Sequence, residues 1–104
     1  MSELSNKQFE FSLMLGKLLL YIYEQGYTAT FGDVYATTGH KNKSNHYIRL
    51  AADLNLFLEG KWLDKGEPME KAHGLAHDYW DSLGGAKRIK KDLNHYSVEY
   101  QGRY

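Results

Sequence analysis

Hydrophobic and polar positions follow a helical period in two stretches of the chain. Apolar residues recur at helical spacing from Asn6 to Gln25, with Ser5 in the N-cap position and Gly26 as a left-handed terminating residue. A second helical pattern begins in the first turn at Pro68 and stops at the Gly84-Gly85 pair. The pattern therefore predicts a long N-terminal helix and a second helix in the C-terminal half.

Four other segments favour strands, because their β-branched, aromatic and apolar residues alternate with polar ones. The predicted strands are Tyr27 to Thr37 with an irregularity at Gly32-Asp33, Leu50 to Leu58, Lys61 to Leu63, and Asn94 to Gln101. In the last of these, Tyr96 and Val98 face the core and His95 points to a polar face. We expect an α+β fold in one domain, residues 1–104, with the second helix packed on an antiparallel sheet and on the long helix.

Composition limits the chemistry that this domain can perform. The chain has 104 residues and no cysteine, so disulfides, thiolate metal sites and cysteine nucleophiles are excluded. Thirteen acidic side chains balance 13 basic ones, which predicts no nucleic-acid partner. The short basic cluster between Lys87 and Lys91 is interpreted as a solvated face, with a phosphate-binding patch as the alternative. We expect a monomer.

The apolar stretch from Phe11 to Tyr23 raises the alternatives of a signal peptide or membrane anchor. Lys17 interrupts it, acidic residues flank it, and no small-residue cleavage site follows. A buried core helix is the favoured interpretation, and no stable membrane insertion is expected.

His46 and Asp53 are candidate metal ligands, since imidazole and carboxylate are the strong ligands available here. The alternative is a loop histidine and a turn acid. Seven positions separate the two residues, which is about 23 Å along a strand or about 10 Å along a helix. A metal site therefore requires the chain to bend between Tyr47 and Leu50.

His73 and His77 stand four residues apart on the predicted second helix, a spacing that can place two imidazoles on one metal. The glutamate that zinc proteases place beside the first histidine is absent, since Gly74 occupies that position. We interpret the two as a solvated pair or as residues that support a metal site without binding the ion.

Two motifs in a fixed order carry a family resemblance. S-x-H occupies Ser44 to His46, an aspartate follows at Asp53, and D-x-x-H occupies Asp92 to His95 with an aromatic residue behind it. This order resembles the zinc peptidases that cleave peptidoglycan stem peptides, which include D-alanyl-D-alanine dipeptidases and carboxypeptidases and the L-alanyl-D-glutamate endopeptidases of bacteriophage lysins. The similarity runs from the first helix through Tyr100.

The resemblance implies a zinc ion held by His46, Asp53 and His95 at the sheet face, with Asp92 as the catalytic carboxylate. Proton delivery near neutral pH favours a shielded acid, so Asp92 is expected to be partly buried or crowded by other charges. Candidates for supporting the ligands or holding substrate are Ser44, Arg49, Asn55, Ser97 and Glu99.

The implied function is a phage-type endolysin that hydrolyses the L-Ala–D-Glu bond of the peptidoglycan stem peptide. Without a recognisable export signal it would stay in the host cytoplasm until lysis and then act on the cell wall. Ala36 stands where many members of the family carry an arginine. This departure keeps two alternatives open, a D-alanyl-D-alanine carboxypeptidase and a zinc-containing wall-binding module that has lost catalysis.

Overall fold

A computed structural model describes residues 2–35 and 45–104 of the chain. The elements are α1 (Glu3–Glu24), β1 (Thr28–Phe31), a 3-10 turn (Asn45–Ile48), β2 (Ala51–Leu58), β3 (Lys61–Trp62), α2 (Gly66–Ser82) and β4 (His95–Ser97). The prediction of an α+β fold with two helices and an antiparallel sheet is confirmed.

Helix α1 begins earlier than predicted. Ser2 is the N-cap, and its side chain accepts a hydrogen bond from the Ser5 N–H at 3.1 Å, so Ser5 lies inside the helix and is not its cap. The far end agrees with the prediction, because Gly26 has a φ of 92° and follows directly after the C-cap Gln25. Among the described residues no helix is both long and apolar enough to cross a membrane.

Strand β2 is the central strand of the sheet. β1 pairs antiparallel along one edge, with Thr28 opposite Phe57 and Phe31 opposite Leu54. The other edge is shared by two short strands, β3 beside the end of β2 and β4 beside its beginning. The first and last predicted strands are therefore too long: β1 stops at Phe31, residues 36–37 lie outside the described part, and β4 covers only three residues.

The core lies between the two helices and one face of the sheet. Residues of α1 and α2 pack on the even-numbered side chains of β2, on β4 and on the residue that follows β4. The buried side chains include Phe11, Leu18, Ile22, Leu54, Leu56, Trp80 and Tyr96. The helices touch each other through Tyr21 and Tyr79, whose rings stack 4.3 Å apart. The odd-numbered side chains of β2 therefore lie on the face away from the helices.

Candidate metal centre

Asp53 of β2 and His95 of β4 lie directly opposite each other in the sheet. The Asp53 N–H donates toward the other edge, to the Asp33 carbonyl at 2.7 Å, while the Leu54 N–H donates to the Asn94 carbonyl at 2.9 Å. Asp53 and His95 are thus a non-hydrogen-bonded antiparallel pair, the arrangement in which facing side chains approach most closely. The register of two strands therefore brings the carboxylate to the imidazole.

His46 reaches the same point because the chain bends where the metal hypothesis required it to bend. The 3-10 turn is followed by Arg49 in the left-handed conformation, with a φ of 58°, and the Leu50 N–H closes the turn on the Asn45 carbonyl at 2.9 Å. A left-handed residue after the turn reverses the chain before β2 begins. The predicted bend is confirmed.

Two side chains from distant parts of the chain hold this turn. Gln8 of α1 donates from Nε2 to the Ile48 carbonyl at 2.8 Å. Asn45 is fully buried, and its amide donates to the Val98 carbonyl and, at 3.1 Å, to the Arg103 carbonyl. His46 is therefore carried on a turn that is attached both to the first helix and to the C-terminal segment.

A β-bulge supports Asp53 from the opposite edge. The Gly32 N–H donates to the Asp53 carbonyl at 2.8 Å, while the Asp53 N–H donates to the Asp33 carbonyl, so two residues oppose one. A Cβ on Gly32 would stand 3.2 Å from the Asp53 Cβ. The irregularity predicted at Gly32-Asp33 is confirmed, and a residue without a side chain allows the close approach.

Three ligand atoms form a nearly equilateral triangle. The Asp53 Oδ1 lies 3.1 Å from the His46 Nε2 and 3.4 Å from the His95 Nδ1, and the two nitrogens are 3.2 Å apart. Tetrahedral coordination with bonds of about 2.0–2.1 Å separates ligand atoms by about 3.3–3.4 Å. The residues therefore fit a metal ion, and the His46–Asp53–His95 group could bind one.

Hydrogen bonds alone do not satisfy these three contacts. An ionised Asp53 oxygen only accepts, and of two facing imidazole nitrogens one must donate and the other accept. The accepting nitrogen then has no hydrogen to give to Asp53, so one side of the triangle is left as a contact between two acceptors. A cation would interact favourably with all three atoms at once.

Burial and charge around Asp53 act in opposite directions on its ionisation. Burial raises the pKa of Asp53, but hydrogen bonds and positive charge from His46 and His95 outweigh it and lower the pKa from 3.8 to about 2. The two imidazoles are almost fully buried, whereas the Asp53 side chain is 17% exposed. The carboxylate is thus ionised at neutral pH, and its exposed part is the side from which solvent can reach the triangle.

Asp92 lies outside the triangle and is exposed, so the expectation that it is partly buried is wrong. It sits in a turn whose ends are joined by a hydrogen bond from the His95 N–H to the Asp92 carbonyl at 3.0 Å. Its side chain lines a cleft of about 200 Å³ whose other polar side chains are Asn55, Asp64, His73, Lys91 and Asn94. Asn94 and Leu54 in this lining are the chain neighbours of two ligands, His95 and Asp53, but none of the three triangle residues lines the cleft.

The remaining predicted site residues occupy different surroundings. Ser44 and Ala36 lie outside the described residues. The guanidinium of Arg49 lies 4.2 Å from the centre of the Tyr35 ring, and the Asn55 amide donates to the Thr30 hydroxyl at 3.4 Å. Both Arg49 and Tyr35 are exposed at the surface.

Ser97 and Glu99 were predicted to lie on the polar face of β4 together with His95. Glu99 is exposed, but His95 and Ser97 are buried, so this face is covered at those two positions. The His95 Nε2 is buried and has no hydrogen-bond partner in the described part of the chain. None of Asn55, Ser97 and Glu99 therefore supplies an oxygen to the His95 Nε2, the kind of contact that a ligating imidazole usually makes.

His73 and His77 are not solvated, in contrast to one of the two predicted interpretations. Both are buried within the α2 side of the core. The His73 Nδ1 lies 2.7 Å from the Tyr96 hydroxyl, and the His77 Nε2 lies 2.7 Å from the Leu93 carbonyl. Neither belongs to the His46–Asp53–His95 group.

The anchors of the ligand-bearing turn were missed from the sequence. Asn45 stands directly before a candidate ligand, and an asparagine there is a signal for a side chain that hydrogen-bonds backbone. Gln8 lies in the first helix, and its contact with the Ile48 carbonyl spans 40 positions. No local pattern could have indicated that contact.

Comparisons with protein-family models, with curated proteins and with solved structures find no match to this chain. The candidate centre is thus described by its own geometry, and the family resemblance rests on the two sequence motifs alone.

Proposed function

We propose that this chain is a zinc-dependent peptidase that hydrolyses a bond in the stem peptide of bacterial peptidoglycan. The observation that carries the proposal is the His46–Asp53–His95 triangle, with sides of 3.1, 3.2 and 3.4 Å. Two imidazoles and one carboxylate form a ligand set that suits zinc, and three protein ligands leave one position for water or substrate. The order of the S-x-H, Asp and D-x-x-H motifs supports the choice of substrate.

A zinc ion held there would supply a Lewis acid and a bound water with a pKa near neutrality. The chain itself must then move protons and hold the peptide. Asp92 is the proposed proton carrier, which accepts a proton as the scissile carbonyl is attacked and delivers it to the leaving amine. Asp92 is exposed in the free protein, so this role requires that bound substrate shields it.

The cleft beside Asp92 is the proposed path of the stem peptide. Its lining combines carboxylate, amide and ammonium groups with the half-exposed indole of Trp62, so it offers both donors and acceptors to a peptide backbone. Arg49, held over the Tyr35 ring, is an exposed cation on the ligand-bearing segment and suits a substrate carboxylate. The proposed bond is L-Ala–D-Glu.

Digestion of purified peptidoglycan tests this function. Zinc-loaded protein is expected to release new amino termini on D-glutamate, and treatment with a chelator is expected to stop the reaction. Release of free D-alanine without new D-glutamate termini would replace the endopeptidase with a carboxypeptidase. Intact walls after incubation with zinc-loaded protein would contradict both the endopeptidase and the carboxypeptidase function.

A second candidate is a zinc-containing wall-binding module without catalysis, and the exposure of Asp92 favours it. Asp92→Asn separates the two, because it preserves size and removes the proton-accepting charge. A peptidase loses about 10²–10⁴-fold in hydrolysis while its zinc content stays the same. A wall-binding module retains zinc and wall affinity in both forms and lyses walls in neither.

A further inference from the structure

Three side chains on one stripe of α2 contact the segment that carries His95. His73, His77 and Trp80 recur at helical spacing and point to the same neighbour. The His73 Nδ1 lies 2.7 Å from the Tyr96 hydroxyl, the His77 Nε2 lies 2.7 Å from the Leu93 carbonyl, and the Trp80 indole N–H donates to the Ser97 carbonyl at 2.8 Å. We call these three side chains the α2 clamp.

His77 contacts the backbone before His95, at Leu93, the residue that directly follows Asp92. A carbonyl only accepts, so the His77 Nε2 carries the hydrogen and donates it to Leu93. The imidazole also stacks on the Tyr96 ring, with centres 4.1 Å apart and planes 15° apart. One residue thus fixes both the backbone two positions before His95 and the side chain one position after it.

The strand that carries His95 needs such support. β4 has only three residues and pairs with β2 over the three positions from His95 to Ser97. A pairing this short has few backbone hydrogen bonds, and the turn before it joins His95 directly to Asp92. The clamp contacts lie on both sides of His95 in the chain, and the contact with Tyr96 is on the face of β4 opposite the His95 imidazole. They therefore limit shifts of the strand along and away from β2.

We propose that the α2 clamp is a positioning device for the metal centre and that His77 is its decisive member. His77 is not a ligand: it acts through the Leu93 carbonyl and the Tyr96 ring to hold the His95 imidazole where the triangle needs it. This inference rests on the proposed metal centre but does not depend on which bond is hydrolysed. It gives a role to the histidine pair that the proposed reaction leaves unused.

Two substitutions separate the hydrogen bond from the packing. His77→Phe keeps a ring of similar size on Tyr96 and removes the donor, whereas His77→Gln keeps a donor near the Nε2 position and removes the ring. We expect His77→Phe to weaken zinc affinity by about tenfold or more, in the range seen for groups that orient metal ligands, and His77→Gln to stay closer to the wild type. Zinc affinity is measured by competition with a chromophoric chelator.

A core variant serves as the matched control for loss of stability. Met14 is buried in α1 and is not one of the three clamp residues, so Met14→Ala should lower stability while the folded protein keeps its zinc affinity. A residue with a merely structural role would behave like Met14. The visible spectrum of the Co²⁺-substituted protein gives an independent readout, because its bands report the coordination geometry and should change in His77→Phe and not in Met14→Ala.

The outcomes are distinguishable. Zinc affinity and Co²⁺ bands of His77→Phe equal to those of the wild type would overturn the positioning role and leave the proposed centre standing. If His77→Phe does not fold, His77→Leu replaces it, since it also removes the donor to the Leu93 carbonyl; unchanged affinity there would overturn the role equally. If the wild-type chain binds no zinc, both the proposed metal centre and the proposed role of the clamp are contradicted.

Discussion

Two pairs of histidines lie on opposite faces of β4, and their nitrogens face different groups. His46 and His95 are 49 positions apart, yet their nitrogens approach to 3.2 Å and share one carboxylate oxygen. His73 and His77 are four positions apart, yet each has its own partner, a hydroxyl or a backbone carbonyl. Helical spacing alone does not produce a metal centre, because a centre also needs a shared anionic ligand.

The two pairs also differ in how their contacting polar atoms are shared. Each helix histidine has a short, unshared hydrogen bond to a group that has no metal-binding role. The facing histidines and Asp53 make a triangle that protons cannot satisfy in full. The His77 Nδ1 is also buried without a partner in the described part of the chain, so a lone unsatisfied nitrogen does not mark a metal site. The distinction is that the three triangle atoms converge on one point, which indicates a cation, whereas the contacts of the helix pair are separate and indicate structure.

Loss of the shared carboxylate should have the largest effect. Asp53→Ala removes one of three ligands and the only negative one, so we expect zinc affinity to fall more than a hundredfold, beyond the about 10–100-fold typical of groups that only orient ligands. Chelator competition measures it, with His73→Gln as the control from the helix pair. Equal losses in the two variants would contradict the distinction between the pairs.

Lowering the pH should destabilise the protein through His73 of the helix pair. Burial, together with the positive charge of nearby His77, lowers the pKa of His73 from 6.5 to about 4. Between these values the unfolded chain takes up a proton that the folded chain does not, so stability falls as the pH falls from about 6.5 to about 4. The loss at pH 4 is about 3 kcal/mol.

Urea unfolding of metal-free protein at pH 7 and pH 4 measures this loss. His73→Gln has no titrating group at that position, so its stability should depend less on pH by about the same amount. The Asp53 contribution does not interfere, because its lowered pKa moves its own loss of stability below pH 4. The same pH dependence in both proteins would show that His73 does not titrate as its burial implies.

A methyl group added next to Trp80 of the α2 clamp should destabilise the packing of α2 on β4. A Cβ on Gly85 would stand 2.0 Å from the Nε1 of the buried Trp80, whose N–H donates to the Ser97 carbonyl. Gly85→Ala should therefore lower the free energy of unfolding by about 2–3 kcal/mol through overpacking. Thermal or urea unfolding measures it, and a neutral result would mean that the indole moves at little cost.

The matched control is Gly74, a half-buried position of α2 where an added Cβ would have no atom of the described chain within 4 Å. Gly74→Ala should stabilise the helix by up to about 1 kcal/mol, since alanine has the higher helix propensity. Opposite signs for the two glycine variants are the expected result.

A methyl group beside the metal ligand should have the smallest effect. A Cβ on Gly32 meets the Asp53 Cβ at 3.2 Å, a tight contact that a shift of a few tenths of an ångström relieves. We expect Gly32→Ala to cost about 1 kcal/mol in stability and to weaken zinc binding by severalfold, because the displaced atoms carry a ligand. Unchanged zinc binding would show that the bulge tolerates the shift without moving the carboxylate.

Sequence patterns predicted much of the fold. The helical periods located both helices and the left-handed glycines after them, and the alternation along β2 separated its core face from the face of Asp53. Strand ends were less accurate, as β1 and β4 are shorter than their alternating segments. Pairing with a neighbour, and not composition, decides where a strand stops.

For the candidate site, the sequence by itself determined which side chains are able to bind a metal. The absence of cysteine restricts strong ligands to imidazoles and carboxylates, and the spacing of His46 and Asp53 made a bend between them a requirement. These conclusions follow from side-chain chemistry and chain geometry, which are local properties.

Only the tertiary structure decided which histidines converge. His95 meets Asp53 through the register of β2 and β4, and His46 arrives through a turn held by Gln8 and Asn45, whose partners lie 40 or more positions away. The same packing buries His73 and His77 against β4 and leaves Asp92 exposed. Such contacts depend on how distant segments pack, which no local pattern of residues specifies.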